Sequence, residues 1–187
     1  MSGPLVQVSD LRVAFRSQDG TANAVNGVDF TLDGGEVLVI LGESGSGKSV
    51  TMRAMMRLLP GRKTDITGSV RIAGHDILGL SERRMADLRG PVVSMIFQEP
   101  MTAFDPVFTV GDQISESIRR HEGVSKDAAR RRALELLEMV QIPSAKRRLD
   151  NYPFEMSGGM RQRAMIALAL ACRPSLLLAD EPTTALD

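Results

Sequence analysis

The chain has 187 residues and a mass of 20.3 kDa, and its 23 lysines and arginines balance 23 aspartates and glutamates, so the formal net charge is zero. That balance argues against a protein that coats nucleic acid or grips a membrane through a polybasic surface. A composition 43% hydrophobic and 25% charged belongs to a globular chain able to bury a core, which sets aside disorder and coiled coil.

In chain order, Leu5 to Phe15 and Val25 to Leu32 alternate apolar and polar residues on either side of Gln18-Asp19-Gly20, which predicts an antiparallel hairpin. After Gly34-Gly35, the β-branched run Glu36 to Leu41 has continuous apolar faces and predicts a strand buried on both sides. A glycine-rich loop follows, then a helix from Ser49 to Leu59 with Met52, Met55, Met56 and Leu59 at helical spacing, ended by Pro60-Gly61. Thr67 to Ile77 reads as a short β segment turning at Gly74, and Val92 to Phe97 as another strand.

From Thr109 to Ile142 the pattern becomes helical. Val110, Ile114 and Ile118 form one stripe, and Ala129, Ala133, Leu136, Leu137 and Val140 a second. Two amphipathic helices separated by Gly123 account for this, with Ser125 as N-cap, Pro143 as stop and Arg130 to Arg132 as a solvated face. Ser157 and two glycines open a helix from Met160 to Cys172, and Leu176 to Asp180 returns to the sheet.

Cys172 is the single cysteine and cannot form an intramolecular disulfide, so a reducing cytosol is the natural compartment. With only His75 and His121 besides, both read as surface residues, the sequence has no zinc cluster. Apolar stretches fall far short of the roughly 20 residues that cross a bilayer, and the first ten residues lack the pattern of a secretory signal.

Gly42-Glu43-Ser44-Gly45-Ser46-Gly47-Lys48-Ser49 matches the P-loop pattern G-x-x-x-x-G-K-[ST], set between an expected strand and an expected helix. Its glycines let successive backbone N–H groups converge on phosphate oxygens, and the following helix N-terminus adds a favourable dipole. Lys48 supplies a cation to the outer phosphates, and Ser49 a hydroxyl for Mg²⁺. Leu176 to Glu181 is an apolar strand ending in two carboxylates. Asp180 is expected to bind magnesium and Glu181 to orient or deprotonate an attacking water.

These motifs, together with the loop Phe97-Gln98-Glu99-Pro100, the signature Ser157-Gly158-Gly159-Met160 and Thr184-Ala185-Leu186-Asp187, occur in a fixed order. Over essentially its whole length the chain resembles the ATP-binding subunits of ABC transporters. The wording Gln98 to Pro106 and Tyr152 to Arg163 is similar to the dipeptide, oligopeptide and nickel importers. Met160 departs from the commoner glutamine at its position, in a way similar to that subfamily.

The resemblance implies an α/β fold of the P-loop NTPase ABC type, a mixed β core with an antiparallel β subdomain and an inserted helical subdomain. It implies one nucleotide-binding domain over 1–187, with about 1–100 and 165–187 as core and about 101–164 as the helical part. It assigns Phe15 to stacking on adenine, residues 42–49 and Val50 to ATP, and Ser49, Gln98 and Asp180 to magnesium. Glu181 and Gln98 become the catalytic pair, while Ser157, Gly158, Gly159 and Met160 contact the ATP of a second subunit in a head-to-tail homodimer or heterodimer.

Partners implied are that second ATP-binding subunit, transmembrane permeases and, indirectly, a solute-binding protein, with no nucleic acid. The implied location is peripheral, on the cytoplasmic face of the cell membrane. The family continues past Asp187 into more of the core and a histidine at the γ-phosphate, so the chain reads as an N-terminal fragment. The competing reading is a soluble ABC-type ATPase acting on nucleic acid or ribosomes. It lacks support because the sequence has no basic patch, zinc insertion or coiled coil. A non-catalytic regulator is disfavoured by the presence of Glu181.

Overall fold

The computed structural model describes residues 3–18, 20–100 and 103–182. Two compact units divide the chain, residues 1–93 and 94–187.

The first unit is organised on an antiparallel sheet. Strands β1 (Val6–Ser17) and β2 (Gly20–Leu32) form the expected hairpin, and β3 (Thr64–Ile72) and β4 (His75–Asp76) complete the order β2-β1-β3-β4. Along β1 the buried positions change phase, from Val6 and Val8 to Leu11 and Val13. A bulge explains the change. The register of β1 shifts after Val8 against β2 and after Ser9 against β3, and Asp10 has φ 44°. Opposite it, Gly68 has φ 95°, and a Cβ there would lie 2.3 Å from the Asp10 carbonyl oxygen.

Helix α1 (Lys48–Met55) is shorter than expected, and the carbonyls just past its end are collected by a remote arginine. Arg89 donates from Nε to the Met56 oxygen at 3.0 Å and from a terminal nitrogen to the Arg57 oxygen at 3.0 Å. Its other terminal nitrogen pairs with Glu82 at 2.6 Å, at the start of α2 (Glu82–Leu88). That bond holds the Glu82 carboxyl below its ordinary range.

The strand expected at Glu36 to Leu41 does not form. Neither sheet includes these residues, and Val37, Val39 and Leu41 are 90%, 69% and 87% exposed. A strand buried on both faces exists only where neighbours supply a ladder and two apolar layers, and no such ladder forms among the described residues.

The second unit has a helical core. Strands β5 (Val93–Ile96) and β6 (Leu176–Ala179) pair, and between them lie α3 (Val110–Glu122), α4 (Lys126–Met139), α5 (Ala145–Arg148) and α6 (Gly158–Leu170). The expected stripes are the core: Val110, Ile114, Ile118, Ala129, Ala133 and Leu137 are all 0% exposed. Thr109 and Ser125 cap α3 and α4 by accepting from Asp112 N and Ala128 N, and Gly123 ends α3 in the left-handed conformation. Helix α4 ends at Met139, four residues before Pro143.

The arginines of α4 do not form one solvated face. Arg131 is exposed, but Arg130 pairs with Asp150 at 2.7 Å, and Arg132 binds Glu122 at 2.7 Å and the Ala171 carbonyl at 3.2 Å. Spacing places a charge on a helix face but does not reveal a remote carboxylate beside it. His75 is exposed and His121 half-buried. Cys172 is buried next to Ser117, two residues past the end of α6, and burial is the main cause that pushes its thiol pKa upward.

Candidate functional site

The phosphate-loop residues Gly42, Glu43, Ser44, Gly45, Ser46, Gly47, Lys48 and Ser49 run directly into α1, as their pattern requires. Gly47 is the N-cap, with φ 93°, and contributes no side chain to the helix start. A Cβ on it would sit 2.4 Å from the Ala24 carbonyl oxygen, so both conformation and close approach demand glycine. Gly45 also has positive φ, with open space around it.

The first turn of α1 contains no acidic residue and receives no side-chain cap, so the positive end of its helix dipole favours an anion. Lys48 folds back over the loop and donates from Nζ to the Gly42 oxygen at 2.7 Å and the Glu43 oxygen at 2.8 Å. The cation is thereby held beside the loop rather than extended into solvent. Behind it the buried Thr51 hydroxyl donates to the Gly47 oxygen at 2.9 Å, fixing the joint between loop and helix. Ser49 and Val50 are half-buried in the first turn. In the same unit Phe15 is half-buried on β1, opposite Ala22 and Thr64.

In the second unit the end of β6 gathers three of the expected residues. Asp180 is 2% exposed, and its backbone N–H donates to the Ile96 oxygen at 3.0 Å, extending the β5–β6 pairing by one bond. Glu181 has φ 47°, a left-handed backbone that costs a non-glycine residue about 1–3 kcal/mol. Gln98 reaches it across the gap between two segments, with Nε2 donating to Glu181 Oε2 at 2.9 Å. The residue after it is held too, because Gln162 on α6 donates from Nε2 to the Pro182 oxygen at 2.6 Å.

Gln162 lies within the Tyr152 to Arg163 wording, but the motif gives it no role of its own. The signal available was its position: with Met165 and Ala169 it lies on the buried stripe of α6, where a polar side chain is out of place.

Ser157 caps α6, its Oγ accepting from Met160 N at 3.3 Å. Ser157 and Gly158 are exposed, Gly159 and Met160 half-buried, and a Cβ on Gly158 would meet nothing within 4 Å. The start of α6 is therefore an exposed, serine-capped helix terminus that a closely approaching anion can reach. Thr184, Ala185, Leu186 and Asp187, and Met101 and Thr102 after the glutamine loop, lie outside the described residues.

The donor set suits a nucleoside triphosphate with magnesium. In the first unit, backbone N–H groups and one lysine match phosphate oxygens, and the Ser49 hydroxyl is a hard oxygen ligand of the kind magnesium takes; in the second unit the Asp180 carboxylate is another. Among the described residues no group of three or more His, Cys, Asp or Glu forms a metal cage. A site that shares the ion with phosphate needs none.

A family model described as ABC transporter matches residues 25–184. The oligopeptide transport ATP-binding protein OppD of Bacillus subtilis is 51% identical over 184 residues, 98% of this chain and 51% of that protein. OppD of Salmonella typhimurium is 52% identical over 185 residues, covering 98% and 54% respectively. The chain thus spans about half the length of the curated relatives it matches. Among solved structures, a dimeric bacterial ABC transporter cassette, MJ0796, superposes with TM-score 0.86 at 28% identity, over 97% of this chain and 76% of that one. A post-hydrolysis state of the same cassette, bound to ADP and Pi, also gives 0.86, at 29% identity.

Proposed function

The chain belongs to the ABC transporter family, and on that premise we propose that it forms the ATP-binding, ATP-hydrolysing part of a subunit that powers peptide import. The observation that carries the reading is the loop at 42–49, with Gly47 forced against Ala24 and Lys48 Nζ bound to two loop carbonyls at the uncapped start of α1. Peptide is favoured over nickel because relatives about half identical to the chain are oligopeptide transport ATP-binding proteins. No helix among the described residues is long and apolar enough to cross a membrane; in this reading permease partners carry the solute.

In this reading the loop amides and Lys48 hold the triphosphate, Phe15 lies under the base, and Val50 continues the first turn behind the phosphates. Magnesium, when bound, supplies positive charge to the phosphate oxygens, and Ser49, Asp180 and Gln98 are the residues that would hold it. Glu181, oriented by Gln98, aligns and deprotonates the attacking water. Ser157, Gly158, Gly159 and Met160 present the α6 terminus to the nucleotide of a second subunit; the dimeric cassette supports such pairing. Residues 1–187 then form one nucleotide-binding domain, and its subunit sits peripherally on the cytoplasmic face of the membrane beside permeases fed by a solute-binding protein. Differential affinity of the paired state for one permease conformation couples ATP to transport.

Two measurements test this. Lys48→Ala is expected to weaken binding of a fluorescent ATP at least tenfold, and unchanged affinity would remove the loop from the site. The full-length protein assembled with permeases should show ATP turnover stimulated by peptides. Stimulation by nickel alone would overturn the substrate assignment.

A further inference from the structure

Glu181 is held in a conformation it does not prefer. Its left-handed φ of 47° persists only if the flanking backbone is fixed from both sides. On the N-terminal side the Asp180 N–H is anchored to the Ile96 oxygen at 3.0 Å. On the C-terminal side, the side-chain anchor seen among the described residues is the 2.6 Å bond from Gln162 Nε2 to the Pro182 oxygen.

That bond comes from an unusual place. Gln162 is 1% exposed, and its Oε1 is buried without a hydrogen-bond partner among the described residues. Leaving a buried acceptor unsatisfied is destabilising, so packing alone would be served better by an apolar side chain on this stripe. What the amide provides in return is its grip on Pro182. The acceptor is a carbonyl, which fixes the amide orientation with the NH₂ toward it.

We propose that Gln162 is a positioning residue for hydrolysis, holding the backbone after Glu181 so that the carboxylate stays aligned with the attacking water. The inference rests on the proposed ATPase role of Glu181. Gln162 lies five residues after Ser157 on the same helix, so the device also ties the start of α6 to the hydrolytic carboxylate. A shift in α6 on pairing with a second subunit moves the clamp.

The test uses the full-length protein with MgATP. Gln162→Met keeps length and removes the donor. It is expected to lower kcat about tenfold or more, since small misplacements of a reacting group cost up to 100-fold. KM for ATP and binding of a fluorescent ATP should stay within about twofold, and the melting temperature should be unchanged or raised. A purely structural role reverses this pattern, lowering the melting temperature and sparing kcat. Gln162→Asn, which keeps an amide but withdraws it by one methylene, is expected to show the same loss of kcat. In a Glu181→Gln background, Gln162→Met should cause no additional loss, because the two act as a unit.

If Glu181→Gln is inactive while both Gln162 variants keep kcat within twofold, this inference alone falls. If turnover survives Glu181→Gln undiminished, the assigned role of Glu181 falls and this inference with it.

Discussion

Gly47 carries two independent demands, a backbone at φ 93° and a carbonyl oxygen 2.4 Å from where a Cβ would stand. Gly47→Ala must relieve the contact by moving either the loop or β2, and strain of this kind costs about 1–3 kcal/mol. Urea unfolding is expected to show a loss of that size. Nucleotide affinity should fall with it, because the amides that follow Gly47 begin α1. Gly45→Ala, where the added methyl meets nothing within 4 Å, should be the milder change despite its positive φ. Equal losses at both positions would mean that the Ala24 contact is unimportant. The need for glycine at 47 is a fact about packing against β2, whereas its membership of the motif is a fact about spacing.

At the scale of elements, α6 has one terminus with two duties. Ser157 caps the helix through Met160 N and also heads the surface proposed to meet a partner's nucleotide. Two substitutions separate the duties. Ser157→Asp preserves the cap, since aspartate is as good an N-cap as serine, and stability should change by less than about 0.5 kcal/mol. It nevertheless sets a carboxylate where a phosphate must approach. ATP-dependent pairing, followed by sizing chromatography in a Glu181→Gln background, should therefore be lost. Ser157→Ala should do the opposite, costing about 1 kcal/mol of stability while sparing pairing more. Pairing that survives Ser157→Asp would place the α6 terminus away from any nucleotide. The N-cap of α4 and the break after α3 were legible, because Ser125 and Gly123 act within one turn of themselves, whereas the Thr109 cap of α3 came from the structure. The paired state of Arg132 was not, because Glu122 and the Ala171 carbonyl come to it from other segments.

For the whole molecule, the run Val37 to Leu41 matters most. Its residues are 40% to 90% exposed, a contiguous apolar surface of the kind that seeks cover. The 187-residue chain is expected to bind a hydrophobic dye such as ANS, and the double substitution Val37→Lys, Val39→Lys should at least halve the signal. No dye binding by the unsubstituted chain would mean that these residues are covered in solution. The relatives are about twice as long as this chain, so the same measurement on the full-length protein shows whether the surface persists there.

The amino-acid order by itself determined whatever depends on neighbours within a few positions: the phosphate loop, the helix stripes and caps, the hairpin, and the family. Tertiary structure decided the rest. It alone set a bulge at Asp10 that turns one face of β1 back inward, placed Gln98 against Glu181, and brought a buried glutamine to the carbonyl of Pro182. It alone left Glu36 to Leu41 without a sheet. Helices and loops close their hydrogen bonds locally, but strands, ion pairs and carboxylate clamps borrow partners from distant segments, and periodicity holds no record of which segment arrives.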